Sequence, residues 1–580
     1  MSNGSLKKYI FRVGLLFILL LSLFLCIYSL KSYKSSNAFK QSSQFGDQRG
    51  MHNYGLNNAQ LLPGMMSSNN IIDSNDFKQG EINTATKNQR IASSSNYNRQ
   101  FQDNNGKEDD MTSDNQINSN RNNQQKHNKN IQHSEQDGNM QRGMGNDNYF
   151  LSLTIYSVIF LLLSCGIYYL VKRKTIKINL KDEKLLIFTL LAAGLFLRVA
   201  ASTLFDGHND VNLFENWASN AANGISQFYT NARSADYPPL YIYVLALIGK
   251  ISKLSIFNSY YILMLKMPSI IADIVTAYFI YKLGKKYIRC EISIFMAAFY
   301  IFNPAIFIDS TFWGQVDSFF TLFIVLAVFL LSEKKIIFST AMFVAAILMK
   351  PQGIIFLPIL FFELVRERNL KSFIKAIISA TVTSLIIIIP FLLKQQSPLW
   401  IFNLYSNTIS EYPYASVNAF NFFSLLGANY KENTDTLFIF NYHTFGMIFI
   451  VITTLISWFI YIKNNNRNIV SAIALLQISG VFTFSVGMHE RYLFPAVALA
   501  ILTFIYLKDK RFFIMAMGFS VTSYLNISSV LFKLNSSTFK IILMVTSFFN
   551  VLLVIYLIKS LIEIVIKKNY LLLSDDNQIL

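Results

Sequence analysis

The sequence predicts an all-α protein that crosses a membrane many times, with roughly 12–14 spans. Three observations carry this. Of 580 residues 52% are hydrophobic and 14% charged, with 52 Phe and 30 Tyr, more apolar surface than one soluble core would need. Apolar runs of spanning or near-spanning length recur from the N-terminal region to the end of the chain. The Lys and Arg behind the net charge of +18 gather in short segments between alternate runs, the pattern of cytoplasmic loops and not of a nucleic-acid surface. Cys26, Cys165 and Cys290 fall in or beside apolar runs, so no disulfide framework is expected.

The first run, near 9–30, follows Lys7 and Lys8. It exceeds the usual core of a signal peptide and lacks a clean small-residue cleavage site, so residues 1–30 are expected to be an uncleaved anchor. Residues 31–147 are rich in Asn, Gln, Ser and Asp. They cannot bury enough apolar area to offset ordering entropy and are expected to be a disordered extracytoplasmic segment, with His52, His127 and His133 merely solvated. Residues 148–184 hold a second span and the loop Lys172-Arg173-Lys174, Lys177, Lys181 and Lys184, which marks the cytoplasmic side. A third span near 185–204 then delivers the next loop outside. Further spans are expected near 259–281, 290–308, 318–332, 335–349, 353–366 and 373–393, then 441–462, 468–487, 492–507, 512–532 and 538–560.

The charges agree with this layout. Lys282, Lys285, Lys286 and Arg289 fall inside, as do Lys334, Lys335, Arg366, Arg368, Lys371, Lys463, Arg467, Lys508, Lys510 and Arg511. Lys250 and Lys253 are the exception, so 240–252 is taken as an interfacial segment. The parity then gathers the unusual polar segments outside: the loop from Phe205, Trp313 to Asp317, Lys350-Pro351-Gln352, the loop 394–441, and His489-Glu490-Arg491.

Phe205 to Tyr243 organises the rest. It holds Asp206, His208, Asp210, Glu215 and Asp236. Phe214, Trp217, Ala218 and Ala221 recur at helical spacing, which predicts a short amphipathic helix along the membrane surface, with Trp217 at the interface. Asp210 opens that helix, either as a plain N-cap or as a functional carboxylate. Its neighbours in the outside set also have bland readings. Lys350 can snorkel from a span end, Trp313 can anchor at the interface, and His489 and Glu490 can tie helices together. Asp317 opens an apolar span, where an acid is costly and tends to mark a site. Pro238 and Pro239 stiffen the return to the membrane.

Asp210 with Trp217, then Asp236-Tyr237-Pro238-Pro239-Leu240, resembles the first external loop of the GT-C glycosyltransferases. Trp313-Gly314-Gln315 with Asp317, Lys350-Pro351-Gln352, Tyr412-Pro413-Tyr414-Ala415-Ser416 with Asn418-Ala419-Phe420-Asn421, and His489-Glu490-Arg491-Tyr492 follow in the same order. The set is most similar to bacterial proteins that resemble GPI mannosyltransferase II, and more distantly to eukaryotic glucosyltransferases that extend lipid-linked oligosaccharides. The resemblance covers 185–510, leaving 511–580 as C-terminal spans and a tail. It implies a GT-C helix bundle that moves a hexose, mannose by family default, from a polyprenyl-phosphate donor with inversion, at the extracytoplasmic face of a bacterial cell membrane. The acceptor is a lipid, a glycan or a protein. Asp210 matches the general base and Asp206 stands second.

An acceptor hydroxyl needs a base within hydrogen-bond reach. The leaving lipid phosphate needs cations, for which Lys350, His489 and Arg491 are the candidates. Gln352, Glu490, Trp313, Gln315, Asp317 and Asp236 complete the expected binding set. No zinc-like ligand spacing occurs, so no metal ligands are assigned, although a divalent cation bridging Asp residues and phosphate stays open. The alternative function is a multi-span transporter or flippase of a lipid-linked sugar. Against it, the sequence has no internal repeat, and its polar groups gather on one face only.

Overall fold

The computed structural model describes residues 3–51 and 143–576, apart from 176, 177, 179, 233, 394–396, 398 and 465. The expected disorder between 52 and 142, with His52, His127 and His133, lies outside the described residues. Among the described residues the protein is all-α apart from a two-stranded ribbon, Thr436–Leu437 with Phe440–Asn441. Helix α1 (Asn3–Met51) runs well past the Leu30 boundary read from hydropathy, and its apolar part is Tyr9–Ser35. Then follow α2 (Gly143–Lys172), α3 (Leu180–Ser202), α4 (Asp210–Asn223), α5 (Pro239–Ser252), α6 (Tyr261–Tyr287) and α7 (Cys290–Ile301). The middle of the chain forms α8 (Asp317–Ser332), α9 (Ile336–Ile347), α10 (Leu357–Glu367), α11 (Leu370–Leu392) and α12 (Trp400–Ser410). The last are α13 (Tyr442–Lys463), α14 (Val470–Phe484), α15 (Pro495–Leu507), α16 (Lys510–Leu531) and α17 (Ser536–Asp576).

Among the described residues, nine helices are long and apolar enough to cross a membrane. A tenth span is formed if α7 and the following Pro304–Trp313 segment count as one, bent by 40°. The expected straight span 290–308 is therefore broken. Pro304 cannot continue the hydrogen-bond ladder, and the Asn303 side chain caps the new turn by accepting from Ala305 N. The expected span 353–366 is instead a 3₁₀ turn, Pro351–Phe356, leading into the 11-residue α10. The difference from 12–14 spans lies in such short elements. α8, α9 and α15 fall below spanning length, and α15 is buried along nearly its whole length. Such a helix is apolar because it sits in the core, not because it faces lipid.

The loop after α3 folds back as α4 and α5, which pack closely on one another. α4 buries Val211, Phe214, Trp217, Ala218 and Ala221, the face predicted from periodicity with one residue added. Trp217 is not at an interface, however. It is 1% exposed and packs among Phe214, Phe228 and Tyr237. An indole with this much apolar area is held better by rings on several sides than by a headgroup layer on one. Gly249 of α5 lies against the Ala218 carbonyl, so close that a Cβ there would overlap it. The segment 240–252 is thus the platform under α4.

Candidate active site

Asp210 is the first residue of α4, but it is not its cap. Asn209 holds the cap position, without a side-chain cap bond. The Asp210 carboxylate turns the other way, toward the segment after α7. There a π-helical turn, Asp309–Trp313, ends at Gly314 in the left-handed region (φ 83°), a conformation that glycine reaches without a Cβ clash. The reversal presents Trp313 and Gln315 together to Asp210. Trp313 Nε1 donates to Oδ2 at 3.1 Å, and Gln315 Nε2 donates to the same oxygen. The backbone locks the register, because His208 N donates to the Trp313 carbonyl. The His208 ring stacks on the Trp313 indole, with Nδ1 3.1 Å from Asp210 Oδ1.

Arg491 completes the group. It stands in the turn between α14 and α15, which is pinned to the long loop between α12 and α13 by Val417 N donating to the Met488 carbonyl and Gly487 N to the Tyr414 carbonyl. Its Nη1 is 2.6 Å from Glu490 Oε1 and 3.4 Å from Asp210 Oδ2. Nε is 3.6 Å from Asp317 Oδ2, and the guanidinium lies over the Trp313 ring at 4.6 Å. Stacked on one face and faced by three carboxylates, it is held in one orientation. Lys350 Nζ donates to Asp317 Oδ1 at 2.6 Å, with both side chains almost fully buried. A snorkelling lysine would be exposed and unpaired, so that reading of Lys350 fails. Trp313 is equally buried and is no interfacial anchor.

These groups surround a cavity of about 330 Å³. Asp210, Asp236, Gln315, Lys350, Gln352, His489 and Arg491 line it together with Tyr237, Tyr412 and Tyr492. Trp313, Asp317 and Glu490 stand behind this lining and hold it. Asp206 does not line the cavity: the turn at Gly207 (φ 114°) separates it from Asp210. Among the described residues no three His, Cys, Asp or Glu side chains converge as metal ligands.

Burial favours the neutral form of Asp210, but the Arg491 charge and the His208 and Trp313 contacts outweigh it, holding the carboxyl well below its ordinary range. Asp236 goes the other way: burial first and the Glu411 charge next push it up to about 7. Burial, with Arg491 and Lys350 adding to it, pushes His489 down to about 3. Burial and the two nearby cations thus favour the neutral form of His489. It packs edge-on against Tyr412 and beside Tyr492. Burial raises the Glu490 carboxyl despite the Arg491 charge.

Sequence reasoning passed over several residues of this region. Tyr237, taken only as part of a stiff turn, donates its hydroxyl to Gln315 Oε1 at 3.1 Å and so orients the amide that serves Asp210. Lys266, inside α6, donates to the Phe205 and Ser202 carbonyls and ties the start of the loop. Arg198 donates to Asp273 Oδ2 at 3.1 Å, both fully buried. The available signal was an ionisable residue within each predicted span, at 198, 266 and 273.

Residues 236–486 match glycosyltransferase family 87, and this match supports a membrane glycosyltransferase. The matched region begins at Asp236 and ends just before the turn that carries Arg491. No curated protein matches the chain.

Proposed function

We propose that the protein transfers a hexose, mannose by resemblance to the GPI mannosyltransferase II-like group, from a polyprenyl-phosphate donor to an extracytoplasmic acceptor with inversion. The observation that carries this reading is the Asp210–Arg491 contact at the wall of a cavity also lined by Lys350. One carboxylate and two cations are what the reaction needs. The acceptor oxygen attacks the anomeric carbon on the face opposite the phosphate. The bond from that carbon to the phosphate oxygen breaks, and the lipid phosphate leaves as an anion. The acceptor proton passes to Asp210.

Arg491 gives the order of events. While it lies against Asp210, the carboxylate is a weak base. A donor phosphate set against the same guanidinium offsets its charge in place, which raises the basicity of Asp210 only when donor is bound. Arg491 also offers the paired donors that suit a phosphate. The reading is tested with polyprenyl-phosphate hexose and membranes containing the protein, alongside mass spectrometry of envelope glycans from cells with and without the gene. Loss of one hexose from those glycans on deletion, restored by the wild-type chain, is the expected result. Unchanged glycans, with no transfer in membranes, would end the reading.

Two further outcomes follow from the site. Asp236 gains a negative charge as pH rises through about 7, so the cavity repels an anionic donor more strongly above that pH. The KM for donor should rise over pH 6–8, and Asp236→Asn should flatten the rise. A KM profile unchanged by Asp236→Asn would show that Asp236 does not face the donor. For orientation, Ser234 lines the cavity and is exposed. Ser234→Cys should react with a membrane-impermeant thiol reagent in intact cells, whereas protection until lysis would put the cavity on the cytoplasmic side.

A further inference from the structure

A second cavity, of about 980 Å³, lies at the other end of the helices that hold the site. α15 begins four residues after Arg491 and ends at Leu507, so at 1.5 Å per residue the two cavities lie about 20 Å apart along it. The second cavity forms where the C-terminal ends of α2, α6 and α15 meet the N-terminal ends of α7 and α16. Lys172, Arg289, Lys508 and Lys510 line it.

The cavity has one lining acid, and that acid is already engaged. Asp509 accepts from Arg511 Nη2 at 2.6 Å and from Arg511 N at 2.9 Å, capping α16. Arg289 donates to the Val171 carbonyl at 3.2 Å, which fixes its guanidinium at the mouth, and its Nη2 lies 3.4 Å from Glu291 Oε2, so the three lysines carry most of the uncompensated charge. Among the described residues Lys172, Lys508 and Lys510 make no side-chain hydrogen bond or ion pair. The N-terminus of α7 lacks a side-chain cap, since Arg289 holds the cap position, and it adds unpaired N–H groups to the same positive field. The remaining wall is mostly apolar, with Ile288, Ile292, Phe504 and Leu507 beside the rings of Tyr168 and Tyr287.

We propose that this cavity binds an anionic phospholipid, phosphate headgroup on the lysines and Arg289, acyl chains along the apolar wall. Two properties select that ligand over a free anion. The volume far exceeds that of a phosphate, and the charged rim continues into an apolar surface. The face is the Lys- and Arg-rich one, which the positive-inside rule makes cytoplasmic, and basic cavities between spans on that side suit anionic headgroups. Ordinary solvated loop charges would be spread over the surface, whereas these converge on one concavity.

The test is native mass spectrometry of the full chain, delipidated and then given phosphatidylglycerol or phosphatidylethanolamine with the same acyl chains. The wild-type chain should retain phosphatidylglycerol at least about tenfold better, given the size of each lysine's attraction to an anionic headgroup layer. The triple variant Arg289→Gln/Lys508→Gln/Lys510→Gln should lose that preference. No preference in the wild type, or a preference that survives in the variant, overturns the proposal. So does displacement of the lipid by millimolar inorganic phosphate, which would mark a site for a free anion. If the variant misfolds, a photoactivatable phosphatidylglycerol on the wild-type chain decides: crosslinks within 287–292 and 504–510 support the proposal, and crosslinks confined elsewhere overturn it.

Discussion

Asp210→Asn should lower glycosyl transfer by roughly two or more orders of magnitude, the usual range for loss of a general base, with the helix and donor binding intact. The geometry removes the structural explanation in advance. Asn209 holds the cap position of α4, so replacing Asp210 removes no cap bond. The amide oxygen of Asn can still accept from Trp313 and Gln315, the two donors that hold Oδ2. It cannot take a proton from an acceptor hydroxyl at neutral pH. Arg491 keeps Glu490 and Asp317 as partners, so its orientation toward a phosphate survives. Asp206→Asn, outside the cavity lining, should be much milder. Near wild-type transfer in Asp210→Asn, or a larger loss in Asp206→Asn, would remove Asp210 from the mechanism.

The second large effect is on the Lys350–Asp317 pair. Asp317→Ala leaves Lys350, whose side chain is 4% exposed, as an uncompensated buried charge. Breaking such a pair costs about 3–5 kcal/mol, which should appear as a sharply lower unfolding temperature and less folded protein. Lys350→Met with Asp317→Asn removes both charges at nearly constant volume, so no uncompensated charge is left buried. The double variant should therefore recover its fold. It should still fail to transfer, because the cavity loses a cation and Arg491 loses the carboxylate 3.6 Å from Nε. Recovery of both fold and transfer would make the pair a scaffold with no part in the reaction.

Much of this was written in the sequence, because it depends on local pattern. Membrane class follows from composition. The buried face of α4 was legible from Phe214, Trp217, Ala218 and Ala221, since the 3.6-residue period needs no knowledge of the partner. That Asp210, Gln315, Lys350 and Arg491 share one end of the bundle came from counting spans against charge. Each apolar run reverses the side, so parity places distant residues together without any contact being known.

Contacts across the fold were not legible in that way. Whether Asp210 caps its helix depends on where the carboxylate points, and that is set by Trp313 and Gln315, more than a hundred residues away, arriving on the turn at Gly314. Trp217 looked interfacial because an indole at a loop helix has two homes, and only Phe228 and Tyr237 closing over it decided between them. His489 looked cationic from its position alone, whereas its own burial with Arg491 and Lys350 favours the neutral form. The sequence by itself determined the class of the protein, the periodicity of its elements and the gathering of its polar segments at one end, because those are properties of composition and spacing. Only the tertiary structure decided which charges are paired and which are neutral, because the energy of a charge depends on its distance to every other charge and on the water around it.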